Sequence, residues 1–163
     1  MKGMIVYSFA WRTKGHSPCN VRLALAAQHI ANSLDEPVRI FAQRTIARVL
    51  RERGVECQVV EKRPGYEGSE EVTCQAAELF RRLGITEVIP VAQPCLQLTK
   101  CIRLVRSAGF TTPSFGRLIQ MIGWIGFDTQ SVQPATRDPF RLVYYTARQI
   151  LFGYRPPMEQ SEP

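Results

Sequence analysis

Residues 69–109, SEEVTCQAAELFRRLGITEVIPVAQPCLQLTKCIRLVRSAG, decide the fold. Val72, Ala76, Leu79, Phe80 and Leu83 recur at the spacing of one helical face, while Gln75, Glu78, Arg81 and Arg82 take the other faces. Gly84 stands where a left-handed residue ends a helix. The apolar run Val88-Ile89-Pro90-Val91-Ala92 then suits a strand covered on both faces. A second helix resumes after Pro94, with Leu98, Cys101, Ile102, Val105 and Ala108 inward and Gly109 as its stop. A buried strand between amphipathic helices is the repeating unit of a parallel α/β sheet.

The flanks repeat that unit. Upstream, 4–10 reads as a first strand, Trp11–His16 as a basic loop, and Ser17-Pro18 as a helix start. That helix carries Leu23, Ala27, Ile30, Ala31 and Leu34 inward and ends at Asp35-Glu36-Pro37. Strands follow at 38–42 and 57–61, separated by a short helix through Ile46, Val49 and Leu50 that stops at Gly54. A loop at 62–68 leads back to the deciding stretch. Downstream, 110–114 reads as a short fifth strand. The segment 115–127 is apolar nearly all round, with Gly123 and Gly126 against a long helix. It reads as a lid or core segment under the last helix, or as a membrane-surface or partner-binding segment containing Trp124. Asp138-Pro139 starts a last helix with Phe140, Val143, Tyr144, Ala147, Ile150 and Leu151 inward, stopped by Gly153 and Pro156-Pro157. The expectation is one α/β domain over 1–157, with a mainly parallel sheet of about five strands and helices on both faces. Residues 158–163 are expected to be a disordered tail. Pro90 is discordant, because it cannot donate to a ladder; it must face an edge or end its strand.

At 163 residues and 45% apolar, the chain is long enough for one buried core. No basic leader precedes an apolar segment, and no run approaches a bilayer span, so a cytoplasmic location is expected. Cys19, Cys57, Cys74, Cys95 and Cys101 form no CxxC pair and the histidines are only His16 and His29, which argues against a metal centre and for reduced, mostly buried thiols. The net charge of +7 is uneven: Lys100, Arg103, Arg106 and Arg117 lie in a stretch, 88–127, without an acid. Such an imbalance suits an anionic ligand or nucleic acid. RNP-type aromatic motifs are absent, and the cations on the 100–106 helix also fit a solvated face.

In open parallel sheets ligands bind beyond the carboxyl ends of the strands. The loops so selected are 10–16, 43–45, 62–69, 93–97 and 113–117, and their polar groups are mostly amides, hydroxyls and cations. His16 and Glu67 are their only candidates for proton transfer. Glycine-rich phosphate loops and a GxSxG elbow are missing, so no motif names a cofactor or a catalytic residue. Cys95, at a strand end before a helix, reads as a nucleophile only if a base lies nearby, and otherwise as a small buried residue.

The order of elements, with Arg22-Leu23, Val72-Thr73-Cys74-Gln75-Ala76-Ala77, Val91-Ala92 and Gln97-Leu98-Thr99-Lys100, resembles the YdcF/SanA-like (ElyC-type) bacterial domain family over roughly Met4 to Tyr154. Thr73 keeps the family residue. Gln75 replaces its glutamate, Ala76 its asparagine, Gln97 its histidine and Lys100 its arginine, and Phe41-Ala42-Gln43 replaces its Ser-Gly-Gly. The resemblance implies a Rossmann-like three-layer domain with a cleft at the strand ends. Glutamine for glutamate or histidine keeps hydrogen bonding and discards proton transfer. Two functions follow as expectations. In the first, Arg12, Arg22, Gln43, Arg44, Thr73, Gln75, Gln97 and Lys100 hold a small polar or anionic ligand, nucleotide-like or a sugar phosphate. In the second, a catalytically inactive scaffold works through a homo-oligomer or other partners, using the basic helix 100–106 and the apolar segment 115–127. Nucleic acid ranks third.

Overall fold

The computed structural model describes residues 1–61, 68–94 and 96–152. The expected loop 62–67 with Glu67, the candidate Cys95, the stop at Gly153 and the tail 158–163 lie outside the described residues.

Strands β1 (Lys2–Val6), β2 (Val38–Ala42), β3 (Gln58–Val59) and β4 (Val88–Val91) form one sheet in the order β3-β2-β1-β4. Every pairing is parallel. Helices α1 (Pro18–Ser33), α2 (Arg44–Glu52), α3 (Ser69–Arg82) and α4 (Leu96–Ser107) alternate with the strands, and α5 (Phe115–Ile122), a 3-10 turn (Pro134–Thr136) and α6 (Pro139–Phe152) follow. The path runs outward from β1 to β3 and then crosses back to β4. Right-handed crossovers therefore put α3 on the face opposite α1 and α2. Side-chain alternation along β1 agrees: Gly3 meets the Phe80 ring and Tyr7 meets Thr73, both on α3. Among the helices α1 packs against α2 and α5, and α3 packs against α4.

Pro90 occupies the third of the four β4 positions and is paired in register with Ile5. Gly3 N–H donates to Glu87 O and Tyr7 N–H to Val91 O, so Glu87 and Val91 face β1. Val88 N–H turns the other way, to Thr111 O at 2.9 Å. By alternation the Pro90 nitrogen also points away from β1, toward the outer edge, where no ladder bond is lost.

The same proline corrects the strand count. The expected fifth strand at 110–114 is reduced to a single parallel bridge, Glu87 with Thr111, and the sheet has four strands. Beyond Val88 the next outward-facing nitrogen of β4 belongs to Pro90, and Pro113 follows Thr111 closely. The ladder has no further N–H to run on. β3 is also shorter than the expected 57–61, although Val60 N–H still donates to Ala42 O.

The expected inward stripe of α6 is not found over 140–147, where Ala147 is exposed too; the side chains of Ile150 and Leu151 lie outside the described residues. Phe140 is 86% exposed, Val143 and Tyr144 are also exposed, and Leu142 is the side chain that is buried. The helix packs on the 3-10 turn, so the face set by that contact, rather than the broadest apolar face, is covered. Asp138 does cap it, accepting from Arg141 N–H at 2.8 Å. Among the described residues no helix is long and apolar enough to cross a membrane.

Candidate functional site

The crossover from β3 to β4 makes the β1/β4 boundary the topological switch point. Ser8, two residues beyond β1, is the meeting point there. Gln43, immediately after β2, accepts at Oε1 from Ser8 N–H (2.6 Å) and from Ser8 Oγ–H (3.0 Å). Gln97, in the first turn of α4, donates from Nε2 to Ser8 O (2.7 Å) and accepts at Oε1 from Gln93 N–H (3.1 Å). One amide thus ties the exit of β1 to the exit of β4 across the boundary. Gln93 is fully buried beneath it, and its carbonyl accepts from Leu98 N–H at 3.1 Å. Arg44 begins α2 directly beside Gln43.

Thr73, Gln75 and Lys100 belong to the α3–α4 side. Thr73 Oγ1 donates to Ser69 O at 2.6 Å and lies 2.8 Å from the Tyr7 hydroxyl. Because that one threonine proton is used on a carbonyl, Tyr7 must be the donor between them. Burial pushes the Tyr7 phenol well above its usual value, followed by the nearby Cys101, so it stays protonated and donates. Gln75 braces the exit of β3. It accepts from Glu61 N–H (2.8 Å) and donates to Glu61 O (3.2 Å) and to Glu71 Oε1 (2.7 Å). Lys100 pairs with Glu70 of α3 at 2.8 Å, with both side chains largely exposed.

Arg12 and Arg22 form a third group, held by the segment after α5. The Arg12 guanidinium engages Asp128 through Nε (2.8 Å) and Nη2 (2.6 Å). Arg22 donates to Ile125 O at 3.1 Å. Val132 N–H and Ser131 Oγ–H both reach Trp11 O. Residues 125–136 therefore strap down the first loop. Burial raises a carboxyl, but here the hydrogen bonds from Arg12, with the nearby Ser17 hydroxyl and Gln130 N–H, outweigh it and hold Asp128 below the usual carboxylate range.

The structure thus divides the eight expected site residues among three places: Gln43, Arg44 and Gln97 at the switch point, Thr73, Gln75 and Lys100 on the α3–α4 side, and Arg12 and Arg22 under the strap. Gln43, Gln75, Gln97 and Arg22 act on the backbone of neighbouring segments, which makes them positioning residues, whereas Arg12 and Lys100 pair with carboxylates. His16 faces Glu52 at 3.2 Å. Burial also raises the Cys19 and Cys57 thiols and pushes Cys101 up to about 12, so none of the three is a thiolate near neutral pH.

Sequence reading missed Asn20. Its Oδ1 accepts from Phe9 N–H at 3.0 Å, and its Nδ2 donates to Ala10 O and to Thr45 Oγ1. The signal was present, since Asn20 precedes Leu23 and Ala27 by three and seven positions, and so occupies the inward stripe. Asp128 was legible in the same way, as the lone acid between Glu87 and Asp138.

No family model and no curated protein matches the chain. Among solved structures, a multifunctional pyruvate carboxylase from Rhizobium etli is similar over 73% of this chain, with 14% identity and a TM-score of 0.33. The chain spans 11% of the length of that enzyme's chain.

Proposed function

We propose that the chain is a small-molecule-binding domain of Rossmann-like type, with its site at the carboxyl ends of β1 and β4. The observation that carries this reading is the convergence of Gln43 and Gln97, from two different elements, on the backbone and hydroxyl of Ser8. Loops fixed in this way are ordered before a ligand arrives, which lowers the entropic cost of recognising a polar ligand. The amides supply no proton transfer, so binding without chemistry is the reading they favour. Arg44, beside Gln43, and Lys100, three residues on from Gln97 in α4 and paired with Glu70 at the α3–α4 edge, give the margin of the site its preference for an anion, such as a nucleotide-like compound or a sugar phosphate. The likeness to the YdcF/SanA-like family belongs to the same proposal.

A thermal-shift screen against nucleotides, adenosyl compounds and sugar phosphates tests it. One class is expected to raise the wild-type midpoint by several degrees, with a much smaller shift in Lys100→Ala, whose exposed ion pair leaves the fold intact. No shift across the panel, or an equal shift in the variant, overturns the site.

A second reading is favoured by Trp124, 71% exposed, and by the uncovered face of α6. It makes the chain a scaffold that self-associates or docks partners through apolar surface. Sedimentation over a concentration series tests the self-associating form: a concentration-dependent dimer supports it, and a monomer throughout counts against it.

A further inference from the structure

We propose that a groove on the outer face of α4, closed by the start of α5, binds a nucleoside monophosphate unit, in a site separate from the strand-end cleft. The groove has a volume of about 240 Å³ and is lined by Thr99, Ile102, Arg103, Arg106 and Phe115. Its chemistry divides into two halves. Arg103 and Arg106 stand three apart on α4, on one side of the helix, and no acid lines the groove. The Arg106 guanidinium is oriented by its Nε–H donating to Thr112 Oγ1 at 3.1 Å, which leaves its terminal nitrogens for a ligand. Arg103 makes no ion pair among the described residues. Two guanidinium groups without a carboxylate match the oxygens of a phosphoryl group.

The other half is apolar. Ile102 lines the groove, and the Phe115 ring stands at its edge, 46% exposed. An aromatic ring left to water beside two cations suits stacking against a flat heterocycle. A plain apolar ligand would leave the guanidinium groups unused, and a plain phosphate would leave the ring unused. The size supports one ring and one phosphoryl group at a time, because the groove is smaller than the usual range for an enclosed drug-sized ligand. A free mononucleotide and one nucleotide of a single strand share this chemistry.

The test titrates the full chain at low salt with adenosine monophosphate, adenosine, inorganic phosphate and a short single-stranded oligoadenylate. Binding is located by amide chemical-shift changes at Thr99, Ile102, Arg103 and Phe115. The monophosphate is expected to bind more tightly than either adenosine or phosphate. Arg103→Gln with Arg106→Gln is expected to weaken it by about tenfold or more. Phe115→Ala should weaken the monophosphate and leave inorganic phosphate unchanged. These side chains are exposed, and circular dichroism and the thermal midpoint check that the variants fold. If the monophosphate fails and the oligoadenylate binds with the same variant pattern, the occupant is a single strand and the groove stands. Failure of both ligands overturns the proposal. So does binding that survives the arginine substitutions and is lost in Lys100→Ala, a result that would assign the ligand to the strand-end site instead.

Discussion

Gly3 is the residue at which β1 and α3 come closest. A Cβ built there would lie 2.7 Å from the Phe80 ring, well inside contact distance, and Phe80 is itself fully buried. Its need for glycine comes from that packing. Gly3→Ala is expected to destabilise the fold by about 1–3 kcal/mol through overpacking, measured by urea unfolding. Adding Phe80→Leu should recover part of the loss, and a single variant as stable as wild type would sink the argument. Gly3 also shows what a sequence hides, because nothing in its neighbours announces a ring from a helix more than seventy positions away. Asn20, a polar residue on an apolar stripe, and Asp128, the lone acid between Glu87 and Asp138, were more legible, but their partners were not. Which backbone groups they satisfy depends on how distant loops meet. Gln75 taught the converse. Read as part of a polar face, it is buried because it clamps Glu61 in the neighbouring segment.

At the scale of elements, the helices and strands that alternate between polar and apolar faces were readable, with α1 and α4 following their periodicity. The apolar stripe of α3 departs from it at Leu83, which lies just past the last turn and is exposed. The failures lie where packing partners are missing. The fifth strand reduces to one bridge because β4 offers Pro90 at its outer edge. The apolar side of α6 stays exposed because nothing among the described residues covers it. The strap at 125–136 has no periodicity to read, and its hold on the first loop depends largely on Asp128. That carboxylate has a side-chain exposure of 0% and binds Arg12 from its own side of the loop. Its folded pKa lies below the unfolded value of about 3.9. The stabilisation is therefore fully present above that value and is lost as pH falls through the lower folded one. Asp128→Asn should destabilise the wild type by about 2 kcal/mol at pH 7 and by progressively less as pH drops below about 4. Glu36 is also held below its usual value, by its hydrogen bond with the N-terminal ammonium, and adds its own pH dependence. The comparison is consequently the difference between wild type and variant, read from denaturant midpoints at each pH. A difference that stays constant from pH 7 to pH 3 would remove Asp128 from this role.

For the whole molecule, the order β3-β2-β1-β4 concentrates long-range contact on the first strand. Met4, Ile5 and Val6 have no exposed surface, and β1 is hydrogen-bonded on both sides. Helices cover both of its faces, so β1 cannot open without disrupting the sheet. At the other end of the chain, α6 packs on a short 3-10 turn and buries Leu142, with Phe140, Val143 and Tyr144 exposed. The two ends should therefore differ in local stability even though both are regular secondary structure. Native-state hydrogen exchange measures this directly. Amides of β1 are expected to exchange only through global unfolding, with protection that falls in step with the denaturant-dependent stability of the whole chain. Amides of α6 are expected to exchange through local opening that denaturant hardly affects. Substituting Phe140, Val143 and Tyr144 together by serine should then change global stability by less than about 0.5 kcal/mol per site, whereas a core change such as Ile5→Ala should cost about 2–5 kcal/mol. Protection in α6 equal to that in β1 would mean that its apolar face is covered in solution. A second copy of the chain would be the first occupant to seek, because protection that then declined on dilution would identify self-association as the cause.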